Sequence, residues 1–458
     1  MKLKKIALAL ALLGFAVPAA YATDGYFPHG VGMKAKGMGG AVTAVAQDAF
    51  GGANNPATMA FAGSRVDVGI DYFSPHRQAE RSGTPDFVNG SAESGSTSFF
   101  VPEFGINYMI RPDLALGLTV YGNGGMNTNY PSGQISNPFG AGLCNAFQTG
   151  GMAPAQPSYN LLCGNGNLGV DLMQVTFAPT IAWKFHPSWS VGFAPLFAYQ
   201  RFKAEGLQAF AGVSQNPNDL TNNGYADSTG WGARVGLYGD FGKFSVGAAY
   251  ATKISMGKFD KYQGLFANSG DFDIPSNWNI GVAFRPDQQW LIAADYQRIN
   301  YSGVDSINNQ QNNILSCLNT VFSGGAATSN QNCLGGSNGA GFGWTSVNVF
   351  KLGVQYALNQ QWTLRAGYNH TSNPIDSSNV TFNILAPGVV QNHITLGTTY
   401  NLSPKSELTG AFMYAFNNDV TGPSFFNAPI QAQGGQSNIT EKIEMWQWSL
   451  GVQYSYKF

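Results

Sequence analysis

Histidine, cysteine and a few basic residues are where this sequence could do chemistry, and their spacing sets narrow limits on it. The five histidines, His29, His76, His186, His370 and His393, are scattered along the chain. None accompanies a recognisable serine or cysteine nucleophile motif, so catalysis by a nucleophile and base within reach of each other has no positive sign. The four cysteines fall in two close pairs, Cys144 with Cys163 and Cys317 with Cys333, in polar stretches rich in Gly and Asn. Zinc would want tighter Cys-x-x-Cys or Cys/His spacing. Loop disulfides fit an exported chain better, although four cysteines allow three connectivities. No metal and no cofactor are expected. Arg201 and Lys203, in "YQRFKAEG", are close together on one face of a strand. A carboxylate buried among apolar groups needs a cation or several donors, and either residue could supply one. Their competing role is a lumen-lining charge paired with Glu205 or another acid.

What must position such residues is a membrane barrel. The first residues, "MKLKKIALALALLGFAVPAAYA", have a lysine-rich start, a short apolar run from Ile6 to Val17 and an Ala20-Tyr21-Ala22 cleavage site. That pattern is a removed secretory signal over residues 1–22. The rest lacks the roughly 18–20 consecutive apolar residues of a membrane helix. Yet the chain is only 11% charged and 13% aromatic, with 58 glycines in 458 residues. Soluble domains usually have about 25% charged residues. The combination suits a transmembrane β-barrel, where lipid-facing and lumen-facing positions alternate. The formal charge of −1 includes three signal lysines, so no basic surplus points to nucleic acid.

The last strand reads most clearly. Trp446, Trp448, Leu450, Val452, Tyr454, Tyr456 and Phe458 take every second position, with Gln447, Ser449, Gly451, Gln453, Ser455 and Lys457 between them. Elsewhere, alternating runs are separated by short turn segments, namely "RPD", "HPSW", "GDFGK", "RPDQQ", "LNQQ" and "LSPKS". Long connections, such as 127–169, 206–229, 303–345 and 374–388, join the other ends. Six short turns imply about 14 strands, with both barrel ends on the short-turn, periplasmic side. The barrel is expected over 65–458, its first strand spanning Arg65 to Phe73.

Residues 23–64 precede it. They are poor in bulky, charged or alternating residues, but carry enough Ala, Val, Met and Phe to be buried. A barrel of this size leaves a lumen that is either wet or plugged, and a compact plug is the better fit. The stretch "GGANNPATMAF", from Gly51 to Phe61, is too apolar for a solvated loop and too broken for a helix or strand.

With its surroundings, "GMGGAVTAVAQDAFGGANNPATMAF" resembles the start of the long-chain fatty acid transporter family of outer-membrane proteins, which includes aromatic-hydrocarbon transporters. The shared pattern is a glycine-rich segment, an Ala-rich stretch with Asp48, then Asn55-Pro56-Ala57. The resemblance implies an all-β barrel of about 14 strands closed by an N-terminal hatch. A hydrophobic ligand would be caught near the outer loops and leave sideways into outer-membrane lipid. The exit would lie at an inward kink of the third strand, Leu114 to about Asn127, beside the Asn-Pro-Ala turn. Tyr121-Gly122 matches the kink region, and Gly122, Gly124 and Gly125 give a strand able to bulge. Tyr26 and Phe27 resemble aromatics that reach the lumen pocket, though they could equally pack the hatch. His29 follows them, where a polar contact to ligand is conceivable. Fatty-acid-type members carry a basic residue where this chain has Gly206, which leans toward an uncharged ligand. "NPFGAGLCNAF" and "FGWTSVNVF" would form a landing surface. A C-terminal Phe458 implies recognition by the barrel-assembly machinery, and the protein is expected to act as a monomer. The readings set against transport are a general diffusion porin, which would show more lumen charges and no hatch, and an outer-membrane lipolytic enzyme.

Overall fold

A computed structural model describes residues 23–149, 155–432 and 434–458, so the expected signal segment lies outside the described residues. Fourteen antiparallel strands close into one barrel. They are β1 Arg65–Thr84, β2 Phe99–Arg111, β3 Leu114–Asn127, β4 Gly169–His186, β5 Trp189–Glu205, β6 Ala226–Asp240 and β7 Phe244–Ala251. The second half comprises β8 Asn277–Phe284, β9 Trp290–Ile299, β10 Val347–Ala357, β11 Trp362–Thr371, β12 Asn392–Ser403, β13 Ser406–Pro423 and β14 Asn438–Lys457. β1 closes on β14 in an unbroken register, from Arg65 opposite Lys457 to Thr84 opposite Asn438. Two short strands, Gly90–Glu93 and Ser255–Met256, pair locally with β1 and β6.

The alternation has a physical cause. In lipid every backbone donor and acceptor must be paired within the protein, and a closed ladder achieves this. Side chains then fall alternately to lipid and lumen. On β14, Leu450, Val452, Tyr454 and Tyr456 are exposed, while Ser449, Gln453 and Ser455 are buried. Outward rings pair across strands near both rims, as porin-like girdles do. Trp290–Tyr356 and Trp362–Tyr400, at 4.5 and 4.7 Å between centroids, stand near the short turns. His76–Trp446 and Trp278–Tyr296, at 4.0 and 5.3 Å, stand near the long loops.

All six expected short turns are present on one rim, and the long connections lie on the other. β1 runs eleven residues past the expected end at Phe73. Its outward positions there are His76, Gln78 and Glu80. The strand therefore continues beyond the apolar band on pairing with β14 and, from Gln78 to Arg81, with the short strand Gly90–Glu93, which hydrophobic alternation does not reveal. Cys144 is bonded to Cys163 and Cys317 to Cys333, each closing one long loop.

Residues 23–64 are buried almost throughout and fill the space inside the strands. Their backbone meets the wall wherever the wall is glycine. A Cβ on Gly397 would lie 2.9 Å from Gly37 Cα, and one on Gly247 would lie 2.0 Å from the Thr43 carbonyl oxygen. Charges fasten the segment. Lys36 Nζ lies 2.9 Å from Asp71 and 3.1 Å from Glu103, and Lys34 pairs with Glu407. Wall carboxylates also accept plug backbone N–H groups: Asp295 takes those of Val42 and Thr43, and Asp67 that of Ala49.

Candidate functional site

The third strand leaves the wall. Its ladder to β2 ends at Val120 opposite Phe104. Up to that point its burial alternates; from Tyr121 to Asn127 every residue is buried. Its ladder to β4 slips between Gly122 and Gly124, leaving Asn123 as the extra residue of a bulge. Asn123 turns its amide to Gln174 Oε1 at 3.2 Å. A bulge bends a strand, and glycine lets another backbone come close. A Cβ on Gly124 would fall 2.3 Å from the Tyr26 carbonyl oxygen. The upper part of β3 therefore lies against the plug and leaves a break in the β2–β3 wall.

Tyr26 is the plug residue at that break. Its N–H donates to Tyr301 Oη at 3.1 Å, and Tyr301 in turn donates to the Asp24 carbonyl. Its ring sits 5.3 Å from Phe27, 5.4 Å from Tyr301 and 6.1 Å from Trp344, all as tilted pairs. Asn55-Pro56-Ala57 lies elsewhere, which corrects the expected position of that turn beside the kink. Asn55 Oδ1 caps the short helix Pro56–Ala60 by accepting from Ala57 N at 3.1 Å. Its Nδ2 donates to Thr43 O and to Leu237 O on β6. Cβ atoms on Gly192 and Gly236 would strike Pro56 and Asn55. The turn thus braces β5 and β6 nearer the short-turn rim, and Met59 packs with Ala115 at the start of β3. The preceding Ala53 and Asn54 border the same cavity as Tyr121, and Asn55, Pro56 and Ala57 are not on its lining.

Three cavities lie along adjoining segments. The one among the long loops has about 510 Å³ of open volume and is walled by Phe202, Phe210, Leu265, Phe266, Phe342 and Leu385 among others. Among the described residues, the sole polar side chain on its lining is Ser306, whose hydroxyl already donates to the Asp271 carbonyl. A second cavity, about 270 Å³, is lined by the next residues along two of the same segments: Trp344 and Ala386 border it with Tyr26, Gly125 and Met126, and Arg77 supplies a charge on its wall. The third, about 500 Å³, begins at Phe27 and His29 and reaches Tyr121 and Asn123. It is polar, with Arg234, Asp295 and Lys351 on its wall.

Arg201 and Lys203 are not in this series. They share the outward face of β5 with Phe193, Phe197 and Tyr199, while Gln200, Phe202 and Ala204 point in. The Arg201 guanidinium lies 3.9 Å over the Tyr225 ring, and its Nε is 3.7 Å from Asp227. Lys203 Nζ is 3.1 Å from Glu205. The lumen placement is corrected by simple parity, and the neighbouring Phe202 is the pocket residue. Gly206 takes a positive φ of 81° and turns the chain out of β5. Of the two expected landing segments, the first forms a helix, Pro138–Thr149, with Phe139 exposed. The second buries Phe342 and Trp344, which line the cavities, and then enters β10, where Phe350 is exposed. Arg234, Asp295 and Lys351 belong to no sequence motif. Asp295 and Lys351 are each the lone charge on the lumen parity of their strand, and Arg234 is the lone cation on that of β6, which is the signal that could have found them.

A sequence model of the family described as outer membrane protein transport protein (OMPP1/FadL/TodX) matches residues 134–458. Among solved structures, the toluene transporter TodX of P. putida is similar over 94% of this chain and 99% of its own, with 16% identity and a TM-score of 0.62. A FadL homologue of Pseudomonas aeruginosa is similar over 95% and 100%, with 14% identity and a TM-score of 0.65. The Ralstonia pickettii toluene transporter TbuX covers 94% and 99% at 17% identity, with a TM-score of 0.58. A search of curated proteins by sequence found no match. At these identities the structures speak for the fold alone.

Proposed function

The chain belongs to the OMPP1/FadL/TodX family of outer-membrane transport proteins, and from that premise we propose that it passes uncharged hydrophobic molecules into the membrane sideways. The long-loop rim faces outward, and the termini face the periplasm. A ligand enters the apolar cavity between the loops, moves past Trp344 and Tyr26, and leaves where β3 departs from the wall. The observation that carries this reading is an apolar cavity among the loops, with a second cavity beside it in sequence, through Phe342 to Trp344 and Leu385 to Ala386, that borders upper β3 where the barrel ladder breaks. Leaving a hydrophobic site for water costs about 0.8 kcal/mol per CH₂, so a water-filled route would be slow for such a ligand. A sideways exit keeps it in apolar surroundings. The filled lumen argues against a general diffusion porin. Family members are transport proteins, which argues against a lipolytic enzyme.

The loop cavity supports a neutral ligand because its lining, among the described residues, offers no cation. One observation favours a second reading: Arg234 and Lys351 border the deeper cavity and could receive the carboxylate of a fatty acid. A fluorescence titration separates the two, since Trp344 stands 6.3 Å from the pocket residue Phe342. Purified protein in detergent would be titrated with a neutral aromatic hydrocarbon and with a long-chain fatty acid. The hydrocarbon is expected to bind at least as tightly as the acid. Leu265→Asp should weaken it by about tenfold or more, because a buried unpaired charge costs at least the roughly 1.4 kcal/mol this represents. A tenfold preference for the acid, with hydrocarbon binding unmoved by Leu265→Asp, would replace the neutral reading with the second one.

A further inference from the structure

Asp24 and His29 of the plug meet His393 of β12 inside the barrel. One ligand atom from each, taken together, all lie within 4.8 Å of one another. The two imidazoles stand edge to face, 4.5 Å between centroids. All three side chains are buried. His29 Nε2, Asp24 Oδ1 and a ring nitrogen of His393 have no hydrogen-bond partner. Leaving one buried polar atom unsatisfied costs roughly 1–3 kcal/mol, so one such atom from each of three side chains gathered at one point calls for a shared ligand.

We propose that Asp24, His29 and His393 bind a divalent transition-metal ion, with Zn²⁺ the class that fits best. Two imidazole nitrogens and one carboxylate oxygen are a regular three-residue zinc set, with a fourth position for water. Calcium or magnesium would demand more oxygen ligands. Zinc bonds of about 2.0–2.2 Å require the ligand atoms to close in by about an ångström, which side-chain rotation can supply. His29 also borders the polar cavity, which gives an ion a hydrophilic approach.

The groups around the cluster shape the affinity. Lys351 Nζ is 3.9 Å from Asp24 Oδ2 and also donates to His29 O and Gln297 Oε1. Asn369 Nδ2 lies 3.5 Å from the same Asp24 oxygen, and its own Oδ1 has no partner. These two partners occupy Oδ2 and leave Oδ1 for the ion. The ammonium opposes a second cation nearby, so the site is tuned below the tightest zinc centres. Because two ligands come from the plug and one from the wall, a bound ion would tie the plug to β12.

Full-length mature barrel, stripped with chelator in detergent, would be titrated with Zn²⁺ by calorimetry. Wild type should take up one equivalent. His393→Ala should lose it, and Asp24→Asn should bind at least tenfold more weakly. Lys351→Met, which removes the opposing charge, should bind more tightly. Folding of each variant is read from heat-modifiable gel mobility. If His393→Ala does not fold, Co²⁺ on the wild type decides, since histidine ligation in a closed site gives an intense visible ligand-field band. No stoichiometric Zn²⁺ uptake, unchanged affinity in a folded His393→Ala protein, or no such Co²⁺ band would overturn the assignment.

Discussion

Gly124→Trp is expected to reduce transfer of a hydrophobic ligand into the bilayer by at least about tenfold while leaving capture at the loops intact. Even a methyl group at this position would lie 2.3 Å from the Tyr26 carbonyl oxygen and 2.6 Å from its ring. Real Cβ atoms do not approach so closely, so β3 must move back toward the wall or Tyr26 must yield. An indole adds bulk in the one place where β2 and β3 separate. Overpacking costs typically 1–3 kcal/mol, and the upper half of that range corresponds to the tenfold or larger effect. The loop cavity is lined by Phe210, Leu265 and Phe382, and Gly124 is not among its lining residues. Affinity measured by Trp344 fluorescence should therefore change little. Wild-type transfer rates in a folded Gly124→Trp protein would contradict a lateral route at β3.

Lys36→Met should have an equally large effect on how well the plug stays seated. Lys36 neutralises Asp71 and Glu103, and all three side chains are almost wholly buried. Glu103 also accepts the Gly32 N–H at 2.9 Å. Removing the ammonium leaves two like charges together in a dry interior. Breaking a buried pair in this way costs about 3–5 kcal/mol. At roughly 1.4 kcal/mol per factor of ten, the unseated population should rise by two orders of magnitude or more. Single-channel recording in planar bilayers would show this as frequent openings that wild type lacks. Lys34→Met provides the contrast. Its partner Glu407 keeps Arg65 at 2.7 Å and Lys457 at 3.0 Å, so the carboxylate remains paired and the effect should be much smaller. Equal, low conductance in both variants would mean the plug is held by packing rather than by charge.

Much of this architecture could be read from the sequence because two solvents act on every strand. Lipid on one side and a polar interior on the other impose a period of two, and turn residues then count the strands. The reading stopped at Phe73 in β1 because alternation reports lipid, and that strand outruns the apolar band. The kink of β3 was legible for another reason: three glycines within four residues cannot fill a wall. Its partner was not. Tyr26, rather than Asn55-Pro56-Ala57, meets Gly124, and no local pattern states which segment of a plug faces which strand. Arg201 and Lys203 were misplaced although the information was present. Phe193, Phe197 and Tyr199 fix the outward parity of β5, and 201 and 203 share it. The Asp24, His29 and His393 cluster could not be seen at all. It joins residues far apart in the chain through the docking of plug on wall, and no motif spacing records that contact.

The most direct test of the account compares two fluxes in the same proteoliposomes. One is transfer of a fluorescent hydrophobic ligand from the outside into the bilayer; the other is passage of a small polar solute into the lumen of the vesicle. The account predicts that the protein speeds ligand transfer well above that of protein-free vesicles while polar solute stays out, because the plug closes the lumen and the exit at β3 opens to lipid. Rapid polar solute passage, with no gain in ligand transfer, would show a general pore and contradict it.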